Sequence, residues 1–561
     1  MNFLLPEEQP FTSWRDVRDA VSRLGSKQLL RGLVRRASRS VHRTGQFQSD
    51  ATHTNLNHPL VARTALDLMA RGDDGAGQHR TEMEAARDLE PMLRKLNGLA
   101  WGPAHQDLAR HPRGGRAGEF RRFVEFGCWY PHLLLANRLN FGKFEIARSF
   151  LLMRVYFAEC RDSFAKGYTS RTGRALPAPL VSAFQSMEYE TMLCYVMVVT
   201  DGWVEDPTVA FANSKISECL ENFLSCYGVD GDSPALGSGS LERWPQEAME
   251  SPFHMTPFVR LRGGELISPD PGLLFTGLTD RFLARSNSAY AADDPEIRDA
   301  GPRVFGSVFE MHVRQLVEEL AEYDAGSPVA VGEFKYDDDT DSADAHLIDK
   351  GTVVFFEAKV AGLPRPFERH RGLEGLFGWL DKLAGRNETR GPLAQGVRHI
   401  SMWARGDRRA TEHLGNPRAV GRVRYLIIAR DQIPFAVHWK RFRTELWQGR
   451  LGAAERALDD DTSFLSISDL EIACAVLQSL SAEARRGSFV GLLDAWVEKC
   501  SATALVDRGP NPGGVGGFGD FLAGRFPSAG QCMPVRMRAA LDEMNDEISA
   551  LGFGDQSRPE Q

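Results

Sequence analysis

Residues 329–360 read VAVGEFKYDDDTDSADAHLIDKGTVVFFEAKV. The segment contains two apolar runs, residues 343–348 and 352–359, which are separated by the tripeptide DKG. Two short runs rich in Val, Ile and Phe around an Asp-x-Gly break are typical of a β-hairpin with a tight turn. We therefore predict two antiparallel strands at this point of the chain, as part of a largely apolar sheet.

Three charged side chains lie at the ends of these predicted strands. Asp344 opens the first strand, and Glu357 and Lys359 close the second. Because alternate residues of a strand point to the same face, Glu357 and Lys359 share a face, and pairing across the turn brings Asp344 to the same end. Burying such a trio without partners is costly, so a bound divalent cation is a natural way to satisfy it.

The ligand types of this trio suit a particular metal. Two carboxylates and the backbone carbonyl of Ala358 are hard oxygen donors, as Mg²⁺ or Mn²⁺ prefers. Such a metal lowers the pKa of a bound water and neutralises charge while a phosphodiester is attacked. The ammonium group of Lys359 could orient that water and stabilise the developing negative charge. The residues therefore predict metal-dependent phosphodiester hydrolysis, with Asp344, Glu357 and Lys359 as catalytic residues.

The spacing of these residues is similar to that of a known family. Asp344, followed thirteen positions later by Glu357-Ala358-Lys359, resembles the Asp…Glu-x-Lys core of the PD-(D/E)XK, or restriction-endonuclease-like, nuclease superfamily. The chain has Ala343 where the name of that motif has Pro. The acidic run at residues 337–341 offers other aspartates, and we select Asp344 because it begins the predicted strand. The resemblance implies an α/β core, a mixed sheet flanked by helices, in the C-terminal half.

The segments on either side of the hairpin agree with this resemblance. A helical pattern over residues 304–317 carries Glu310, which matches a glutamate that often joins the metal site in the family. Downstream, Gln395 resembles a glutamine that some branches place on a helix over the site. Residues 423–429, VRYLIIA, predict a strand that is buried on both faces. Glu310 and Gln395 are thus implied as supporting residues, and Glu310 also as a metal ligand.

Each of these residues has an ordinary interpretation as well. A Glu-x-Lys sequence on a strand is common as a solvated charge pair. Glu310 lies on a helix with several other glutamates and could be a surface residue. Gln395 is an unremarkable residue on a helix.

The charge around the predicted site differs from that of the whole chain. The chain has a net charge of -8, whereas residues 361–450 contain 18 Lys and Arg against 8 Asp and Glu. A phosphate backbone needs such an excess, although a generic arginine-rich surface has the same composition. We expect nucleic acid, DNA rather than RNA, as the partner. The residues that we expect to contact it weakly are Arg365, Arg369, Arg371 and Arg398.

The length and composition indicate a globular protein of several domains. The chain has 561 residues, of which 42% are hydrophobic and 25% are charged. A mainly α-helical N-terminal region is expected before the nuclease-like part. The predicted domains are an N-terminal helical segment (1–95), a helical domain (96–240), the nuclease-like domain (256–480), and a helical C-terminal extension with a Gly-rich loop (481–561).

Targeting and cysteine patterns exclude several classes of protein. The eight cysteines form no C-x-x-C pair, which argues against a zinc ribbon or a disulfide framework. The first residues, MNFLLPEE, lack the basic and apolar regions of a signal peptide. No apolar stretch is long enough to span a bilayer. We therefore expect a cytoplasmic protein without a membrane partner.

The leading functional hypothesis is a Mg²⁺-dependent endonuclease. A nuclease core behind an unrelated helical region resembles effector subunits of anti-phage defence or restriction systems. A partner subunit or trigger would then control it, and double-strand cutting by one such site usually needs two copies, which agrees with a homo-oligomer. The alternative hypothesis is a catalytically inactive nuclease-like scaffold that binds nucleic acid or a protein partner. An RNA nuclease would share every residue and differ only in its substrate.

Overall fold

The structure is a computed structural model, and its described residues are concentrated in the C-terminal half. They are residues 14–24, 228–230, 258–260, 266–267, 300–360, 391–430, 462–483, 487–502, 517–527 and 533–550, with a few positions between 147 and 169. The chain divides into two compact units. One comprises residues 1–112, 133–302 and 539–561, and the other comprises residues 113–132 and 303–538.

The first unit contains a short helix and a small sheet among its described residues. The helix is α1 (Trp14–Leu24). The sheet has the order β1–β2–β3, in which β1 and β2 are parallel and β2 and β3 are antiparallel. Its strands are β1 (Gly228–Asp230), β2 (Phe258–Arg260) and β3 (Leu266–Ile267). Most of the N-terminal region that we predicted to be helical lies outside the described residues.

The second unit is built on a five-stranded mixed sheet whose strand order follows the chain. The first three strands are antiparallel to their neighbours, and the last three run parallel. The strands are β4 (Val329–Gly332), β5 (Ala345–Asp349), β6 (Thr352–Lys359), β7 (Arg422–Ala429) and β8 (Thr462–Ser466). The predicted α/β core is confirmed at this level, as a mixed sheet with flanking helices.

Helices precede, interrupt and follow this sheet. One helix comes before β4, two lie between β6 and β7, and the others follow β8. Their bounds are α2 (Ala300–Tyr323), α3 (Pro392–Ala404), α4 (Arg408–Leu414), α5 (Ile467–Ala482), α6 (Phe489–Ala502), α7 (Phe518–Arg525) and α8 (Val535–Ala550).

The predicted hairpin is formed by β5 and β6. Lys350 (φ 40°) and Gly351 (φ 88°) both have positive φ, as the two central residues of a tight hairpin turn of type I′ require. The register pairs Asp349 with Thr352 and Ala345 with Phe356. One detail of the prediction is corrected: Asp344 precedes β5 by one residue, because its side chain, rather than its backbone, takes the N–H of the residue across from it.

One face of the sheet carries the apolar core of this unit. Side chains of β5, β6 and β7 on this face pack against α2, α5, α6 and α7, in a cluster whose members are almost completely buried. The helices that follow residue 480 therefore share the core of the sheet. Representative members are Phe309, Val313, Leu347, Val354, Phe356, Leu426, Leu470, Phe489, Trp496 and Phe518.

The opposite face of the sheet is covered by α3. The ring of Trp403 on α3 lies 6.1 Å from the ring of Phe355 on β6. Closer to the start of α3, the ring of Tyr425 on β7 packs directly against the helix at Gly396. Since alternate strand residues share a face, Phe355, Glu357 and Lys359 all belong to the face that α3 covers. This places the predicted catalytic residues between the sheet and α3.

Candidate active site

The ends of two neighbouring strands bring the three predicted catalytic residues together. Since Ala345 pairs with Phe356, the preceding residue, Asp344, comes opposite Glu357 at the end of β6. Nζ of Lys359 lies 2.7 Å from Oε1 of Glu357, on the same face of the strand. The sheet register alone thus gathers two acids and one amine at one edge.

The backbone of Ala358 joins the two acids. Its N–H donates a hydrogen bond to Oδ2 of Asp344 over 2.6 Å. The N–H and C=O groups of one strand residue face the same edge of the strand. The carbonyl oxygen of Ala358, which we predicted as a metal ligand, therefore faces the edge on which Asp344 lies.

Burial makes the charges of this site expensive. Only 8% of Asp344 and 4% of Glu357 are exposed. Burial, and then the charge of Glu357, raise the pKa of Asp344 to about 7. Burial also raises the pKa of Glu357, against the opposing effect of Lys359 and of a hydrogen bond with Tyr425. A positive charge placed between these two carboxyl groups would favour their ionised forms.

Lys359 supplies part of that charge. Burial alone would lower the pKa of Lys359, but the negative charge of Glu357, with those of Asp344 and Glu310, raises it above its ordinary value. The side chain is 28% exposed, so that its amino group lies partly accessible at the rim of the site. Lys359 therefore stays protonated and retains donors for a further ligand.

Glu310, on α2, belongs to the same electrostatic environment. Burial and the charge of Asp344 raise its pKa to about 7. Arg314, one turn further along α2, donates from Nε to the backbone oxygen of Asp344 over 3.4 Å and from Nη2 to Glu333 over 3.2 Å. The helix before the sheet thus carries an acid and a base to the Asp344 end of the hairpin. The role of Glu310 as a metal ligand stays a prediction.

The other predicted site residues differ in where they lie. Gln395 is on α3, partly buried and next to Gly396, so it belongs to the helix over the site. Arg398, also on α3, donates to Asp338 over 2.8 Å and to the hydroxyl of Thr340. Three predicted nucleic-acid contacts, Arg365, Arg369 and Arg371, lie outside the described residues.

The acidic run at residues 337–341 is occupied by basic partners. Arg409 approaches Asp337 at 3.8 Å and Asp339 at 3.9 Å, and Asp337 also accepts from the backbone N–H of Arg408. With the pair between Arg398 and Asp338, these contacts tie the run to α3 and α4. The aspartates of this run that could compete with Asp344 as ligands are thus engaged by basic groups in the described part of the chain.

Tyr425 is a residue of this site that we did not predict. Its side chain is completely buried, and its hydroxyl donates to the backbone oxygen of Pro392 over 2.7 Å. The same hydroxyl lies within hydrogen-bonding reach of Glu357, and burial followed by the charge of Glu357 raises its pKa well above the ordinary value. The signal in the sequence is a tyrosine within the aliphatic run VRYLIIA, because a buried phenol needs a polar partner.

Two buried histidines on the α3 side are held neutral. The ring of His346 lies 5.3 Å from that of Phe334 and 5.0 Å from that of Phe355, and His399 stacks on Tyr336 at 5.6 Å. Burial lowers the pKa of His346 to about 3 and that of His399 to about 4. Both rings are therefore uncharged at neutral pH.

Acid is expected to weaken the contribution of His346 to stability. Its pKa is about 3 in the folded protein and about 6.5 in an unfolded chain, so protons bind the unfolded state first as the pH falls. The stability that neutral His346 contributes is complete above pH 6.5 and is lost as the pH falls towards 3. Between pH 7 and pH 5 the loss is about 2 kcal/mol. Urea unfolding of the wild type and of His346→Leu at both pH values measures it.

The comparison with the variant isolates this residue from the buried carboxyl groups, whose raised pKa values act in the opposite direction. The stability advantage of the wild type over His346→Leu should shrink by about 2 kcal/mol at the lower pH. Phe334→Leu, which changes the packing against the same ring without removing a titrating group, should cost the same at both pH values. An advantage over His346→Leu that is unchanged from pH 7 to pH 5 would contradict the assignment.

The donor set of the site determines which metals it suits. Among the described residues, no three His, Cys, Asp or Glu side chains are grouped closely enough to hold a metal. The candidate ligands are instead two carboxylates, Asp344 and Glu357, and the backbone carbonyl of Ala358. Mg²⁺ keeps several waters and is commonly held by one or two carboxylates together with phosphate oxygens, so the residues present suit it.

Comparison with models of known protein families, with curated proteins and with solved structures gives no match. In the part of the chain that the structure describes, no helix has both the length and the apolar character needed to cross a membrane.

Proposed function

We propose that this protein is a metal-dependent nuclease that hydrolyses phosphodiester bonds, most directly in DNA. The observation that carries the proposal is the position of Asp344 and Glu357, two buried acids on adjacent strand ends, with Nζ of Lys359 at 2.7 Å from Glu357. The order of α2, the antiparallel β4–β5–β6 and the parallel β7 supports it, since this order of helix and strands is the one that the PD-(D/E)XK resemblance implies.

The proposed roles follow from the chemistry of the side chains. Asp344, Glu357 and the carbonyl of Ala358 would hold Mg²⁺ or Mn²⁺, with Glu310 in support. When bound, such a metal supplies a water of lowered pKa and positive charge beside the phosphate. Asp344 and Glu357 would then be ionised, because the cation offsets the burial that raises their pKa values.

Lys359 has the properties of the group that stabilises the reacting phosphate. An ammonium carries three hydrogens, and Glu357 accepts at most part of this capacity. The remaining donors can bind the attacking water or a phosphate oxygen, where negative charge grows in the transition state. A positive charge fixed in a site that is largely shielded from water stabilises that charge more than it would in solution.

The positive charges of α3 and α4 are the proposed contacts to the nucleic-acid backbone. Arg398 is about half exposed, and its pair with Asp338 is also exposed. Exposed ion pairs contribute little to stability and are screened by salt, so a phosphate can replace a carboxylate partner. The proposed role of a restriction or anti-phage effector, with a partner subunit or trigger, rests on the resemblance and the architecture alone.

The test is cleavage of supercoiled plasmid with Mg²⁺ or Mn²⁺, by the wild type and by Asp344→Asn. We expect cutting by the wild type, none with EDTA, and a loss of at least about 100-fold in the variant. Asp341→Asn is the matched control, because Asp341 is an exposed aspartate of the acidic run. Equal cutting by the wild type and Asp344→Asn would overturn the assignment. Parallel assays on single-stranded DNA, duplex DNA and RNA identify the substrate.

A second candidate is the inactive nuclease-like scaffold. The ion pair between Lys359 and Glu357 favours it, because this pair already offsets one buried negative charge without a metal. Calorimetric titration of the protein with Mn²⁺ separates the two. Binding that disappears in Asp344→Asn supports the nuclease, even if a trigger is needed for cutting. No binding by the wild type supports the scaffold.

A further inference from the structure

Tyr425 connects the catalytic strand to the helix that covers it. It lies on β7, in register with Phe355 of β6, two residues before the Glu357–Ile427 pair. Its hydroxyl donates to the backbone oxygen of Pro392, the first residue of α3, over 2.7 Å. The hydroxyl is also within hydrogen-bonding reach of the Glu357 carboxylate. One group of atoms thus lies between the proposed site and the start of the helix.

The environment of Tyr425 leaves its ring no freedom to move. The side chain has no exposed surface. Above the ring lies Gly396, where even a Cβ atom would come within 2.6 Å of Cζ of Tyr425. A buried aromatic ring that is held by a helix backbone on one side and by its own strand on the other presents its hydroxyl at a fixed point.

Glu357 needs such a fixed partner. Its long side chain has several rotamers, and a carboxylate that binds a metal or an ammonium must be held in one of them. Lys359 is partly exposed and can turn towards a substrate, so it is a poor anchor for Glu357 during a reaction. A hydroxyl on a rigid ring is a better one, because it can donate to the carboxylate without changing position.

We propose that Tyr425 is a positioning residue, whose hydroxyl orients the carboxylate of Glu357 and links it to the first turn of α3. This inference rests on the proposed function of the site. Tyr425 acts through Glu357 and not on the substrate itself. A displacement of α3 would move the Pro392 carbonyl, and with it the hydrogen bond that the hydroxyl makes on that side, so the position of the helix and the orientation of the carboxylate are coupled.

The test compares two tyrosines that make similar contacts. Tyr425→Phe removes the hydroxyl and keeps the ring. Tyr336→Phe is the matched control, because the hydroxyl of Tyr336 is also buried and also donates to a carbonyl of α3, that of His399, over 3.4 Å. Each variant loses one bond to the helix backbone, but only Tyr425 has a hydroxyl within hydrogen-bonding reach of Glu357.

The measurements are Mn²⁺ affinity, single-turnover cleavage of plasmid and crystal structures of the two variants. We expect Tyr425→Phe to weaken Mn²⁺ binding and to slow cleavage by about 10-fold to 100-fold each, as loss of a group that orients a metal ligand does elsewhere. The affinity for plasmid should stay the same. Tyr336→Phe should change each quantity by less than about twofold, within the usual effect of a remote substitution.

The outcomes separate this inference from the proposed function. If the wild type binds Mn²⁺ and Tyr425→Phe binds and cuts equally well, the positioning role is wrong and the nuclease proposal stands. If the wild type neither binds metal nor cuts, the nuclease proposal fails, and the crystal structures then decide. A carboxylate of Glu357 that keeps the wild-type orientation and its 2.7 Å contact with Lys359 in Tyr425→Phe overturns the positioning role. A carboxylate that turns away or occupies two orientations supports it.

Discussion

Replacement of Lys359 by methionine is expected to reduce the rate of phosphodiester cleavage by at least about 100-fold, the usual effect of removing one group that stabilises transition-state charge. Methionine keeps an unbranched side chain at this position, which is 28% exposed, but removes the ammonium group. The variant loses the donor nearest to Glu357, while Asp344, Glu357 and the Ala358 carbonyl remain. Single-turnover cleavage at saturating Mn²⁺ measures the loss.

Metal binding by the same variant distinguishes charge stabilisation from ligand loss. Without Lys359, the pKa of Glu357 would rise further, which weakens metal binding at pH 7, although all oxygen donors are retained. We therefore expect Mn²⁺ binding to persist while cleavage is lost. Lys335→Met is the matched control, since Lys335 is an exposed lysine whose nearest acid, Asp341, is 3.9 Å away. Normal cleavage by Lys359→Met would remove this residue from the proposed mechanism.

Introduction of a methyl group at Gly396 is expected to destabilise the second unit by about 2 kcal/mol, near the middle of the range for overpacked cores. A Cβ atom at this position would lie 2.6 Å from Cζ of Tyr425, and the ring cannot retreat, because it is buried in β7 and bonded to Pro392. Alanine favours a helix over glycine by about 1 kcal/mol, and this estimate already includes that gain. Urea unfolding of Gly396→Ala measures the net loss.

A glycine on another helix provides the control for Gly396→Ala. A Cβ at Gly524, on α7, would meet nothing within 4 Å. Gly524→Ala should therefore be neutral or slightly stabilising. The clash predicts a further result: in a Tyr425→Leu background, which removes the ring, Gly396→Ala should cost much less. A Gly396→Ala protein as stable as the wild type would show that α3 can shift away from β7.

The hairpin is the part of this fold that the sequence predicted best. The break at residues 349–351 defines a turn that only a few residue types can form, and the β-branched and aromatic runs on either side leave little choice of register. β6 has the predicted bounds, Thr352–Lys359, and β7 contains the predicted run. The meeting of Asp344, Glu357 and Lys359 follows from this register, so local sequence was sufficient to predict it.

Other elements carry weaker signals. β8 (Thr462–Ser466) is only five residues long and includes polar side chains, one of which, Ser466, forms the N-terminal cap of α5. α4 buries just two of its seven residues, so it shows little periodicity. The contact of Tyr425 with Glu357 could not be predicted, because it depends on how far α3 descends onto the sheet. That distance is set by a glycine distant in sequence.

The packing of α6 and α7 against the sheet has a consequence for synthesis. Phe489 and Phe518 belong to the same buried cluster as Phe356 of β6. Domains fold as units while the chain leaves the ribosome, and this cluster stays open until residues beyond 525 have emerged from the exit tunnel. Any activity of the acids at the end of β6 is therefore delayed until almost the whole polypeptide has been translated, so a truncated nascent chain would carry the motif without a closed site.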